Sequence, residues 1–93
     1  MGLLDKLKAK QTFGKIESDV RKINGVSTFY VNNVYANNGA YCTDFNLRCY
    51  AYGIQSLEEY FEGCKTRYKT DIKVEKQVQN GNEVLINGTL INS

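Results

Sequence analysis

Ninety-three residues carry a formal net charge of +2, twelve Lys and Arg against ten Asp and Glu, with 42% hydrophobic and 12% aromatic side chains. That length supports one core and excludes a second domain, so residues 1–93 read as a single α+β domain; the apolar content excludes a disordered chain, and the weak charge excludes a nucleic-acid partner argued from charge alone. No stretch reaches the roughly 20 apolar residues of a membrane span, and the amino terminus lacks the apolar core and cleavage site of a secretory signal, so a cytoplasmic protein with no membrane partner is expected.

Residues 3–23 have helical spacing, with Leu3, Leu4 and Leu7 on one apolar stripe and Phe13, Ile16, Val20 and Ile23 on another. The stripes do not join across Gln11 and Thr12, and Gly14 weakens the helix there, so a break near residue 12 or an irregular first turn is expected. Asn24-Gly25 then supplies a left-handed stop.

From Val26 to Tyr35 the residues are β-branched or aromatic, and from Tyr41 to Gly53 they alternate. Tyr41, Phe45, Leu47, Cys49 and Ala51 form the set expected to face the core; Cys42, Asp44, Asn46, Arg48, Tyr50 and Tyr52 form the outward set. If Phe29 and Val31 share the inner face, paired residue numbers must sum to an even number, which a three-residue loop Asn37-Asn38-Gly39 satisfies and a two-residue turn does not.

Ser56-Leu57-Glu58-Glu59 has the form of a capping box. Leu57, Tyr60, Phe61, Cys64 and Tyr68 follow at helical spacing, which predicts a helix over 57–68 with Glu58 and Glu59 in its favourable first turn.

The last segment repeats the hairpin logic. Ile72, Val74 and Val78 face inward, Asn80-Gly81-Asn82 turns, and Val84, Ile86 and Leu90 return on the same face, pairing Val78 with Val84 and Ile72 with Leu90. Leu85 and Ile91 then point outward, and Lys76, a charge in the inward set, marks a sheet edge. The run from Asp71 to Leu90, with an Asn-Gly turn before a strand ending in Gly88-Thr89-Leu90, resembles the terminal hairpin of the BON domain; nothing beyond that hairpin is carried across. The element order is αββαββ, expected as a two-layer sandwich with two helices on one face of a four-stranded, mainly antiparallel sheet.

Enzyme chemistry finds few materials. The chain has no histidine, no Gly-rich phosphate loop and no nucleophile elbow. Strand parity exposes Cys42, the best nucleophile candidate, yet Asp44 on the same face raises a thiol pKa where activation requires lowering it. Separations of seven and fifteen residues between Cys42, Cys49 and Cys64 do not form a zinc site, and with no secretory signal the three thiols are expected to stay reduced. No catalytic residue, metal ligand or cofactor is expected.

The outer sheet face is the informative surface, with Tyr30, Arg48, Tyr50, Tyr52, Leu85 and Ile91 as candidate partner-binding residues beside Thr28, Asn46, Lys73 and Glu75. Tyrosine, arginine and branched aliphatics with few lysines are what interface cores are made of. The leading expectation is a non-enzymatic module that binds a larger protein or protein complex. Asn, Lys, Tyr and Ile are abundant while Pro, Trp and His are absent, the bias of an AT-rich bacterial or viral genome, and a short, single-domain, motif-free chain of such composition suits a phage or mobile-element inhibitor of a host defence protein. The alternatives are a self-assembling virion or structural protein, hence a homo-oligomer, and a nucleic-acid binder using sheet aromatics. Asp44 and Glu75 on the same face rank nucleic acid below protein. Leu3, Leu4 and Leu7 beside Lys6, Lys8 and Lys10 offer another surface, too short to anchor in a membrane.

Overall fold

A computed structural model describes residues 2–93. In chain order it contains α1 (Leu3–Arg21), β1 (Val26–Val31), β2 (Tyr35–Asn37), β3 (Ala40–Tyr50), a 3-10 turn (Ala51–Gly53), α2 (Ile54–Arg67), β4 (Thr70–Asn80) and β5 (Glu83–Asn92). Every strand pairing is antiparallel, in the order β1-β3-β5-β4, with β2 on the same side of β3 as β1. The two hairpins therefore join through β3 and β5 into one sheet. The expected αββαββ sandwich holds; the sheet is four ranks wide but has five strands, because the first rank is split into β1 and β2.

Both helices cover one face. Ala9, Phe13, Ile16 and Val20 of α1 and Leu57, Phe61 and Cys64 of α2 are buried with Phe29, Phe45, Leu47, Cys49, Val84, Ile86 and Leu90 of the sheet. Phe29, Phe45 and Phe61 form a ring triad with centroids 5.5, 6.3 and 6.5 Å apart, tying β1, β3 and α2 together. The Tyr60 hydroxyl of α2 donates to the Asp19 carboxylate of α1 at 2.8 Å, a polar tie between the helices.

The break expected near residue 12 does not form, and α1 runs unbroken through Gly14. Its core stripe begins at Ala9 and passes directly to Phe13, so nothing has to join across Gln11 and Thr12. The three leucines belong to a different face: Leu3 and Leu4 are 75% and 72% exposed, and Leu7 is 47% exposed. Similarly, α2 starts three residues before the expected Leu57, out of the 3-10 turn, with Gly53 at its N-cap and no side-chain cap. Ser56, Glu58 and Glu59 thus lie inside the helix, and the capping box is not made. The half-buried Ile54 extends the apolar stripe back by one turn, and packing outweighs the local cap.

Both hairpins reach the expected parity far from their tips by a route the sequence does not announce. The first closes with a two-residue turn, Asn38-Gly39, both residues at positive φ (51° and 79°), and Asn37 opposite Ala40. This is the type I′ pattern whose twist matches the strands. The odd residue is absorbed in the gap at 32–34 between β1 and β2, so Phe29 still faces Leu47 and both point inward. The second hairpin closes on Gly81-Asn82, with Gly81 at φ 63° and Asn80 opposite Glu83. Its extra residue is a bulge between Val74 and Lys76. Ile72 pairs with Leu90 as expected, whereas Val78 pairs with Leu85 rather than Val84. Beyond the bulge, therefore, Val78 turns to the outer face, correcting the inward assignment.

The two outer edges of the sheet differ. On β1, the Phe29 carbonyl accepts from Arg21 Nε and the Val31 amide donates to Glu17 Oε2, both at 3.0 Å, and Arg21 and Glu17 are paired at 3.5 Å. Side chains of α1 thereby occupy backbone groups to which another strand would bind. The β4 edge, expected from Lys76, lies at the other end of the strand order.

Candidate interaction face

The face opposite the helices is built by strand register. One row crosses all four ranks, Thr28, Arg48, Leu85 and Val78; the next is Tyr30, Asn46, Asn87 and Lys76; and Tyr50, Glu83 and Asn80 close the end nearer the β4–β5 turn. Tyr52 follows in the 3-10 turn, its ring stacked on Tyr50 with centroids 5.8 Å apart and planes within 2°. Arg48 holds Glu83 at 3.7 Å, and Arg21 reaches round the β1 edge to lie 5.2 Å from the centre of the Tyr30 ring.

Five of the six expected residues thus gather: Tyr30, Arg48, Tyr50, Tyr52 and Leu85. Ile91 does not join them. It lies six residues along β5 from Leu85, roughly 20 Å at strand rise, between Cys42 and Asp71. Val78, the residue missed, belongs with the five, since the bulge puts it beside Leu85 with 42% of its surface open. The available signal was Lys76: a charge at an inward position marks a slipped register as readily as an edge.

The far end of the same face is polar. The Thr89 hydroxyl lies 3.0 Å from Asp44 and 3.2 Å from Glu75, and Tyr35 donates to Asp44 at 2.8 Å. One hydroxyl proton serves one carboxylate at a time, so this end presents acceptors and negative charge.

Cys42, expected to be exposed, is buried at 2% accessibility, with Tyr35 and Ile91 as its cross-strand neighbours. Burial first, and Asp44 second, push its thiol above the ordinary range. Burial also raises Cys49, and it is the main cause of the raised Cys64. Thiolate chemistry has no support at any of the three. Among the described residues, no group of three or more Cys, Asp and Glu side chains is placed to hold a metal ion, and no helix is long and apolar enough to cross a membrane.

Two measurements follow from the thiols. A small alkylating agent near pH 8 is expected to leave all three cysteines largely unmodified in the native protein and to modify them on unfolding; rapid native labelling of Cys42 would refute its burial. Folding also keeps Cys42, Cys49, Cys64 and the raised Tyr60 protonated. The unfolded chain loses those protons first as pH rises. Stability is therefore full below the unfolded thiol range, about 8.5, and declines above it. Urea midpoints measured from pH 6 to 10 check the sign.

No protein-family model, curated protein or solved structure matches the chain. What defines it is architecture and surface: an open antiparallel sheet with helices on one side and an aromatic, partly apolar strip on the other.

Proposed function

We propose that the chain is a non-enzymatic protein-binding module that docks on a larger protein or complex through the strip Tyr52, Tyr50, Arg48, Leu85 and Val78, with Tyr30 beside it. The observation that carries this reading is the position of these side chains on the one sheet face that neither helix covers. Register makes Arg48, Leu85 and Val78 neighbours across three strands. Tyr, Arg and branched aliphatics packed side by side supply rigid contact area with polar tips, the make-up of an interface centre. The Arg48–Glu83 pair fixes charge at its middle, and the carboxylates of Asp44 and Glu75 at the far end disfavour a phosphate backbone. The finer form of this reading, a phage or mobile-element inhibitor of a defence protein, is supported by a short, single-domain, motif-free chain of biased composition.

Tyr50→Ser with Tyr52→Ser is the direct test. Tyr52 is 67% exposed and Tyr50 41%, so stability should fall by only about 1–2 kcal/mol, the lost stack plus the covered part of Tyr50, while capture of the partner recovered with the unaltered chain should disappear. Capture that survives both substitutions, or that falls steeply with added salt in the manner of phosphate binding, would remove this reading.

A further inference from the structure

A second surface, independent of the tyrosine strip, is split between two parts of the chain. At 100° per residue, Leu3, Leu4 and Leu7 point roughly 160° away from the Ala9, Phe13, Ile16 and Val20 stripe that α1 gives to the core. The leucines are exposed because they face outward, at the start of a helix whose Gly2 carbonyl is held by the Tyr41 hydroxyl at 3.3 Å. Lys6 and Lys10 flank this stripe on one side and Lys8 on the other. Among the described residues, none covers it.

On the other side of the fold, an apolar groove of about 340 Å³ lies between α2 and β4, its walls including Ile54, Leu57 and Phe61 of α2 and Ile72 and Val74 of β4. Val74 is 48% exposed in it. Glu58 and Glu62 rim the groove from the α2 side, with Glu59 beside them along the helix. Lys65, which pairs with Glu62 at 3.1 Å, is the one base on that rim among the described residues. The groove cannot take the chain's own leucines, because α1 packs over β1 and β3 whereas α2 packs over β4.

An apolar stripe edged by lysines and an apolar groove edged by glutamates are complementary in both chemistry and sign. We infer that the amino-terminal turns of α1 from one copy of this chain seat in the α2–β4 groove of a second copy, Leu3, Leu4 and Leu7 entering the groove and Lys6, Lys8 and Lys10 facing Glu58, Glu59 and Glu62. The contact joins unlike surfaces, so it does not use the tyrosine strip and leaves it free for a partner. A cationic leucine stripe also suits an anionic membrane, but a membrane leaves the acid-rimmed groove without an occupant.

The test is complementation, with any purification tag removed. The unaltered chain should show a mass that rises with concentration in sedimentation between about 1 μM and about 1 mM, the range in which a modest interface associates. Leu3→Ser with Leu4→Ser and Leu7→Ser, and separately Glu58→Lys with Glu62→Lys, should each weaken association by roughly a hundredfold. The exposed positions leave both variants folded, which circular dichroism verifies. The first variant keeps an intact groove and the second an intact stripe, so mixing the two should restore a 1:1 complex. A mixture that stays monomeric, an unaltered chain that stays at 10.6 kDa throughout, or an assembly that survives either variant overturns the inference. So does binding to phosphatidylserine vesicles that needs the leucines and is unaffected by Glu58→Lys with Glu62→Lys, an outcome that assigns the stripe to a membrane.

Discussion

Gly88→Ala is expected to destabilise the protein by about 3 kcal/mol or more, a large share of the roughly 5–15 kcal/mol that holds a small domain folded. Gly88 sits in β5 with Phe45 on one side and Val74 on the other, at an inward position of the sheet. A methyl group there would overlap the Lys73 carbonyl oxygen and lie 2.9 Å from two carbons of the Phe45 ring. The ring could rotate; the carbonyl is backbone, in the strand that is about to bulge. Phe45→Leu in the Gly88→Ala background should therefore fail to restore stability, because it relieves only the softer of the two contacts. In melting experiments the single substitution corresponds to a fall of roughly 15 °C. A fall of less than a few degrees would mean that the bulge slides to accommodate the methyl, and that β4 is less fixed than its register indicates.

Phe29→Ala should have an effect of similar size, about 3–5 kcal/mol, from lost burial and the cavity left behind. Phe29 is fully buried, and its ring contacts those of Phe45 and Phe61 at 5.5 and 6.3 Å. Two features make the site unforgiving. The ring is the link from edge strand β1 to α2, and its own carbonyl holds Arg21, so loosening β1 also releases the carboxy-terminal turn of α1. Phe29→Leu should cost clearly less, since much of the volume remains. Chemical denaturation measures both substitutions, and amide exchange at Val31, whose N–H donates to Glu17, should accelerate more than exchange in β5. An unfolding midpoint that hardly moves would remove Phe29 from the core.

Much of this fold could be read from residue alternation. Phe45, Leu47 and Cys49 against Asn46, Arg48 and Tyr50 determine which side of β3 meets the helices, and the buried and exposed positions follow that split. Parity is less informative about where an odd residue is placed, since a longer turn and a tight turn with a bulge give the same result at Ile72 and Leu90. They give opposite results at Val78. That distinction cost the candidate face one of its members, while Tyr30, Arg48, Tyr50, Tyr52 and Leu85 lay on the side the alternation assigned. Cys42 illustrates another limit: alternation gives the direction of a side chain, but its accessibility also depends on how large its cross-strand neighbours are. The start of α2 was obscured for a related reason, because Ser56 and Glu59 satisfy a local pattern while Ile54 responds to a core that only the assembled sheet provides.

Besides the irregularity between Val26 and Thr28, the slack held at 32–34 and beside Val74 gives this chain two places where its length could drift over generations. Gain or loss of one residue at either place would be absorbed locally, with both tight tips and the tyrosine-bearing side keeping their orientation. The same change at Asn38-Gly39 or Gly81-Asn82 would turn a strand inside out, so descendants should vary in length along the strands and keep their tips constant.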